Sequence, residues 1–250
     1  TPAVVSHLNI PGLTPGRATV GPDAFISGVA RLPLIAQPGT KWRYSIGLDV
    51  LGLIIQRVSG AASFGAFLQE RMFGPLGMTS SFFRVPASEV GRFTSNYGLK
   101  DGKPQPLDPA DNSAFSDAAP FAFGGAGLVT TPADYDRFLA MILSKGALGN
   151  VRLMREETMA LATTNLLPPG TDTRGQFIEG AGFGAGGRVG LGADAGTFGW
   201  SGAAGTMGFV NTRIGLRAGL YVQFMPPGAI PIQKEFPELL RADVMKRLAK

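Results

Sequence analysis

The stretch Lys41-Trp42-Arg43-Tyr44-Ser45-Ile46-Gly47 places a tyrosine between a tryptophan-arginine pair and a serine, directly ahead of a long apolar run. A tyrosine there can simply pack. It can also act as a base, if cations nearby pull its phenol down from an ordinary pKa of about 10. Other routes to hydrolysis are poorly supplied. The chain has no cysteine, hence no thiolate nucleophile, disulfide or cysteine metal site. The single histidine, His7, argues against a histidine-rich metal centre and is the one imidazole open to a Ser-His-Asp triad. Gly199-Trp200-Ser201-Gly202 is not the G-x-S-x-G elbow that the α/β form of that chemistry uses. A serine enzyme without histidine borrows a lysine or a depressed tyrosine as its base, which singles out Tyr44. Arg43 is adjacent, but neighbours in an extended segment point to opposite sides, so the cation is expected from elsewhere.

The elements that must hold Tyr44 follow from periodicity and punctuation. A chain of 250 residues, 44% hydrophobic and 16% charged, can bury a sizeable core as one large domain or two closely packed subdomains. Its 36 glycines and 19 prolines divide it into short elements. After a loop-rich opening up to Gly39, a helix is expected from about Ile46 to Ser59, with Leu48, Leu51, Ile54, Ile55 and Val58 on one stripe and Gly60 as its stop. Ser63 reads as the cap of a second helix that "GPLGM" ends, and residues 84–120 read mostly as loop. Thr131, Pro132, Asp134 and Gly146 then frame a third helix, and a shorter one is expected over Arg155 to Thr163.

From Thr197 the pattern changes to short apolar segments separated by glycine, expected as two or three antiparallel strands with "NTRIGLRAG" joining the last pair. A final helix, "PELLRADVMKRLAK", would turn Leu239, Leu240, Val244 and Leu248 towards the sheet. Helices first and an antiparallel block last argue for an α+β fold. The division expected is a mainly helical, loop-rich part over 1–195, with the C-terminal strands and closing helix over 196–250. Gly182, Gly184 and Gly187 satisfy G-x-G-x-x-G, but with no strand expected before them and no helix after, the phosphate-binding mechanism of that motif is missing.

The net charge is +5 with a pI near 9.7, yet the basic residues are dispersed, clustering only at Lys246, Arg247 and Lys250 on what reads as a solvated helix face. Nucleic-acid binding is not expected. No apolar run reaches eighteen residues, so no membrane span is expected, and no cofactor is indicated. The compartment is left open. The chain starts with Thr1 and no signal-like segment precedes it, which suggests that something upstream was removed or lies elsewhere.

Four blocks in order carry a resemblance: "PGTKWRYSIGLDVLGLIIQRVSG", "FGAFLQERMFGPLGMTSSFF", "FGGAGLVTTPADYDRFLAMIL" and "FGWSGAAGTMGFV". Over residues 33–250 the chain resembles the serine β-lactamase and penicillin-binding-protein superfamily, most of all the family VIII carboxylesterases, with "SHLNIPGL" a degraded match to their "HTSGL". The resemblance implies a β-lactamase/transpeptidase-like fold: an antiparallel sheet flanked by helices, with a helical subdomain. It implies that Tyr44 is the base of the Y-S/A-N motif, with Ile46 replacing the asparagine that contacts a β-lactam amide. It implies that Trp200-Ser201-Gly202 stands where β-lactamases have K-T-G, and that the Ala203 N–H is an oxyanion donor beside the nucleophile's own. Both departures favour a neutral small-molecule ester over a β-lactam, and Phe121, Phe123 and Trp200 are expected to line a pocket for short or medium acyl chains.

The superfamily's nucleophilic motif, S-x-x-K, is missing. The residues three before each lysine are Pro38, Tyr97, Lys100, Ile142, Pro231, Asp243 and Arg247. The serine and lysine are therefore expected from an N-terminal segment outside these residues, possibly a second chain. A β-lactamase, an acyltransferase and a non-catalytic binding protein that keeps the pocket remain alternatives.

Overall fold

The computed structural model describes residues 20–44 and 46–248. The whole of "SHLNIPGL", with His7, and Ser45 lie outside them. The first element among the described residues is a helix that the expected loop-rich opening did not include: α1, Pro22–Ala30, with Pro22 in its first turn and Asp23 beside it. Both are helix-start signals, since proline's fixed φ suits the first helical position and an acid suits the positive helix end. α1 buries Phe25.

α2 spans Gly47–Ser59 and stops at Gly60, as its periodicity implies. The buried residues are Asp49, Gly52 and Leu53, while the apolar stripe lies open, with Ile54 at 48% and Val58 at 84% exposure. Ser63 caps α3, Phe64–Leu68, its Oγ accepting the Ala66 N–H at 2.9 Å. That helix continues through a π-helical turn, Gln69–Phe73, into the short α4, Gly74–Leu76.

Within residues 84–120, expected mostly as loop, lies a hairpin of β1, Asn96–Lys100, and β2, Lys103–Asp108. Asp101 and Gly102 turn it with positive φ values of 52° and 74°. Asp-Gly is the pair such a two-residue turn favours, because both central positions need the left-handed region. Pro104 and Pro106 leave β2 at the sheet edge, where the missing N–H groups cost nothing.

α5, Pro132–Leu143, starts on Thr131, whose side chain accepts the Asp134 N–H. The buried Asp134 carboxylate in turn accepts the Ser80 N–H (2.7 Å) and the Ser81 hydroxyl (2.9 Å). Asp134→Ala would take the acceptor from the Ser80 N–H and leave the Ser81 hydroxyl only Thr130 Oγ1 as partner, so an unfolding free energy lower by about 1–3 kcal/mol is expected. Chemical denaturation checks this; a loss under about 0.5 kcal/mol, the size of an ordinary surface change, would contradict it.

After a two-residue hairpin of β3, Ala147–Leu148, and β4, Val151–Arg152, and after α6, Glu156–Ala162, comes the main sheet. Its strands are β5, Gly182–Phe183; β6, Arg188–Val189; β7, Thr197–Ser201; β8, Met207–Asn211; and β9, Leu216–Leu220, antiparallel and paired in chain order. The sheet thus takes in two strands before residue 196. The glycines at 182, 184 and 187 belong to the β5–β6 hairpin, with no helix behind them. β10, Phe224–Met225, runs parallel to β1 in the smaller sheet.

Alternation along β7 and β8 assigns the two faces. Phe198 and Val210 join the core built by α5 around Leu139, Met141 and Ile142. Phe209 and Asn211 turn the other way, towards α7, Ile232–Leu248. This helix begins five residues before Pro237, its expected start. Leu240 and Val244 flank the sheet with Pro237, whereas Leu239 is exposed; the Leu248 side chain is outside the described residues.

Candidate active site

Tyr44 is held from behind by backbone pairing. The Trp42 N–H donates to the Asp172 carbonyl (3.0 Å) and the Asp172 N–H to the Thr40 carbonyl (2.9 Å). The chain then turns at Ile46 into α2. Trp42 and Tyr44, two apart in this extended run, share a side, and their rings are 6.4 Å apart. Trp200, at the end of β7, stacks on Tyr44 at 6.2 Å and 11°. Phe183 of β5 closes on Trp42 (5.3 Å) and Trp200 (5.7 Å). Phe177, itself 74% exposed, meets Tyr44 edge-on at 5.3 Å.

Tyr44 is 49% exposed. Partial burial raises its pKa above the ordinary phenol value, and the Asp49 carboxylate raises it further. Arg43 is adjacent, but its guanidinium donates to the Trp42 carbonyl (3.1 Å). Among the described residues, then, nothing acts on Tyr44 in the direction that would make it a base near neutral pH.

Past Trp200 the strand ends at Ser201, and a tight turn follows. The Gly202 N–H donates to the Thr206 carbonyl (2.7 Å), and the Gln233 amide of α7 donates to the Gly202 (2.9 Å) and Thr206 (2.8 Å) carbonyls. Ala203 sits in this braced turn, beyond the strand's end at Ser201. Among the described residues no acceptor is paired with that N–H, and Ala203 lines the cleft that Tyr44 borders.

The cleft has a volume of about 1070 Å³. Tyr44, the Trp200–Ala204 turn and the Phe123–Thr131 stretch all line it. Trp200, Ser201, Gly202 and Phe123 all line it. Phe121 and Ile46 do not. Phe121 is buried with its ring 5.3 Å from Phe25 and 4.1 Å from Phe123, and Ile46 packs on the same cluster. The aromatic lining expected from Phe121 comes instead from Phe64, Phe83, Phe93 and Phe115, while Trp42, Phe177 and Phe183 form an aromatic cluster around Tyr44 outside that lining. Trp42 could have been found by its i, i+2 spacing; Phe177, 133 residues from Tyr44 in the chain, leaves no local signal. Among the described residues no group of three or more acidic or imidazole side chains is placed to hold a metal ion.

Comparison with known proteins identifies the family and the fold. The beta-lactamase family model matches residues 8–236. Protein Rv1367c of Mycobacterium tuberculosis H37Rv is 33% identical over 211 residues, covering 74% of this chain and 49% of that protein. Esterase EstB of Burkholderia gladioli is 29% identical over 221 residues, covering 78% of this chain and 52% of that protein. The structure of EstCE1, a hydrolase with promiscuous acyltransferase activity, superposes with a TM-score of 0.70 at 22% identity, over 83% of this chain and 57% of that one. The fold is therefore the β-lactamase/transpeptidase-like one, and the chain spans about half the length of the curated relatives it matches.

Proposed function

The chain belongs to the beta-lactamase family, and from that premise we propose that it is the tyrosine-bearing part of a serine carboxylesterase acting on short or medium acyl esters. Its relatives support hydrolase-type chemistry at this fold. The observation that carries the finer reading is the convergence on one cleft of Tyr44, its stacking partner Trp200 and the unpaired Ala203 N–H.

A serine Oγ attacks the ester carbonyl carbon while its proton passes to the Tyr44 oxygen. The resulting oxyanion is held by the serine's own N–H and that of Ala203, donors that need no rearrangement during reaction. Collapse of the tetrahedral intermediate breaks the C–O bond to the leaving alkoxide, which takes the serine's former proton from Tyr44 and departs as the alcohol. Water then repeats the sequence on the acyl-enzyme and releases the acid. No S-x-x-K occurs among the 250 residues, so serine and lysine come from a segment outside them. That lysine is also the cation that would lower the Tyr44 pKa against the burial and the Asp49 charge that raise it.

Two features favour an ester over a β-lactam. Ile46 offers no amide at the Y-S/A-N position, and Trp200 offers a flat apolar wall with one N–H where a lysine would bind a carboxylate. The closest rival is acyl transfer to an alcohol, since the similar EstCE1 is described as having promiscuous acyltransferase activity. Incubating the complete protein with a p-nitrophenyl ester and a competing alcohol tests this. Free acid is expected as the main product, and dominant ester exchange would replace the hydrolase reading with the transferase.

A further inference from the structure

We propose that Asp49 is a positioning residue for this chemistry: its buried carboxylate ties the Gly124–Gly125 stretch of the cleft wall to the first turn of α2 and sets a negative charge behind the Tyr44 phenol. The inference rests on reading Tyr44 as the proton-transfer group, a role in which Asp49 itself touches no reacting atom.

The clasp is visible in the packing. Asp49 is only 3% exposed, and the Gly125 N–H donates to its Oδ1 at 2.9 Å across 76 residues of sequence. A Cβ at Gly125 would stand 3.1 Å from Asp49 Oδ2, and one at Gly124 would collide with the Leu48 carbonyl oxygen. The paired glycines therefore let the wall backbone rest directly on the helix that follows Tyr44. Gly124, Gly125 and Tyr44 all border the cleft, so base and wall move as one piece.

The charge has a second effect. Burial pushes the Asp49 pKa up, while the N–H groups of Gly125 and of Asp49 itself hold it down; the anion in turn raises the Tyr44 pKa. The Gly124–Gly127 stretch carries no titratable side chain. On α2 the next cation, Arg57, lies two turns on and is paired with Asp23 of α1. On the Tyr44 segment Arg43 is engaged with Trp42, and Lys41 is the other cation. A group that takes a proton from the nucleophile and returns it to the leaving alcohol works best with a pKa near the operating pH. A cation acting alone would carry the phenol past that point, and Asp49 opposes it.

Asp49→Asn separates the two effects in the complete protein, because the amide oxygen can still accept the Gly125 N–H but carries no charge. With tyrosine Cζ labelled with ¹³C, and the Tyr44 signal identified by its loss in Tyr44→Phe, the Tyr44 titration midpoint is expected to fall in D49N. The limb of the ester-hydrolysis pH profile that tracks Tyr44 should move to lower pH with it. Asp49→Ala lacks the acceptor as well and is expected to lose roughly a further tenfold in kcat, the scale of a small misplacement of reacting groups. An unchanged midpoint in D49N, or equal kcat in D49N and D49A, overturns the inference. A midpoint that falls while the pH profile stays put supports the Asp49 coupling and removes Tyr44 from proton transfer. Should D49N not fold, the Gly125 amide ¹⁵N shift in the unaltered protein must inflect above the ordinary aspartate range, and its absence overturns the clasp.

Discussion

Tyr44→Phe is expected to lower kcat for a p-nitrophenyl ester by about 10²-fold or more, the usual cost of losing a positioned general base. The substitution is a narrow one. Phenylalanine keeps the ring that stacks on Trp200 and takes the edge of Phe177, so the melting temperature should hold within a degree or two. KM should change little, since Trp200 and the turn at Ala203 are untouched. A variant with near-normal turnover would remove Tyr44 from the mechanism, and equal losses in turnover and melting temperature would make its role structural.

The second large effect is expected on the open face of α2. Leu51, Ile54 and Val58 are large apolar side chains exposed on one stripe, and a segment that brings serine and lysine to Tyr44 must pass close to this helix. We propose that it covers the stripe. While the face is open, Ile54→Asp costs no more than a typical surface change, about 0.5 kcal/mol. Under a covering segment the carboxylate would be buried without a partner, and the complete protein should lose about 3 kcal/mol or more together with its esterase activity. Denaturation of the complete protein with and without the substitution decides between these. A cost near the surface value would show that the stripe stays open and the segment sits elsewhere.

This helix also shows where sequence stops informing. The spacing of Leu48, Leu51, Ile54 and Val58 identifies an apolar face, and Gly60 its end, because both are local properties of an amphipathic helix. What covers the face is not local, and the core side of α2 proved to be Asp49, Gly52 and Leu53 instead. α5 was legible for the same local reason, with Thr131, Pro132 and Asp134 marking its cap. The β7–β8–β9 meander was legible from alternation between glycine turns. α1 and the β1–β2 hairpin carried their own signals, Gly21-Pro22-Asp23 and Asp101-Gly102, which the surrounding polar and proline-rich texture outweighed.

At the site, Tyr44 and Trp200 could be singled out by residue type and motif order, and the fold brings their rings together. Phe121 could not be told from Phe123, since two phenylalanines flanking one alanine have identical local signals. Only the packing of α1 decides that Phe121 fills the core against Phe25 while Phe123 also reaches the cleft. Asp49 gave no signal as a clasp because its partner, Gly125, is 76 residues away.

The central claim is that Tyr44 serves a nucleophilic serine carried outside these 250 residues. A fluorophosphonate ester, which phosphonylates an activated serine and releases fluoride, tests it on the complete protein, with the labelled peptide identified by mass spectrometry. The label is expected on the serine of an S-x-x-K sequence beyond these residues, with labelling slowed in Tyr44→Phe. A label on Ser45, Ser201 or any other serine within the 250 residues would contradict the account, and the role given to Tyr44 would fall with it.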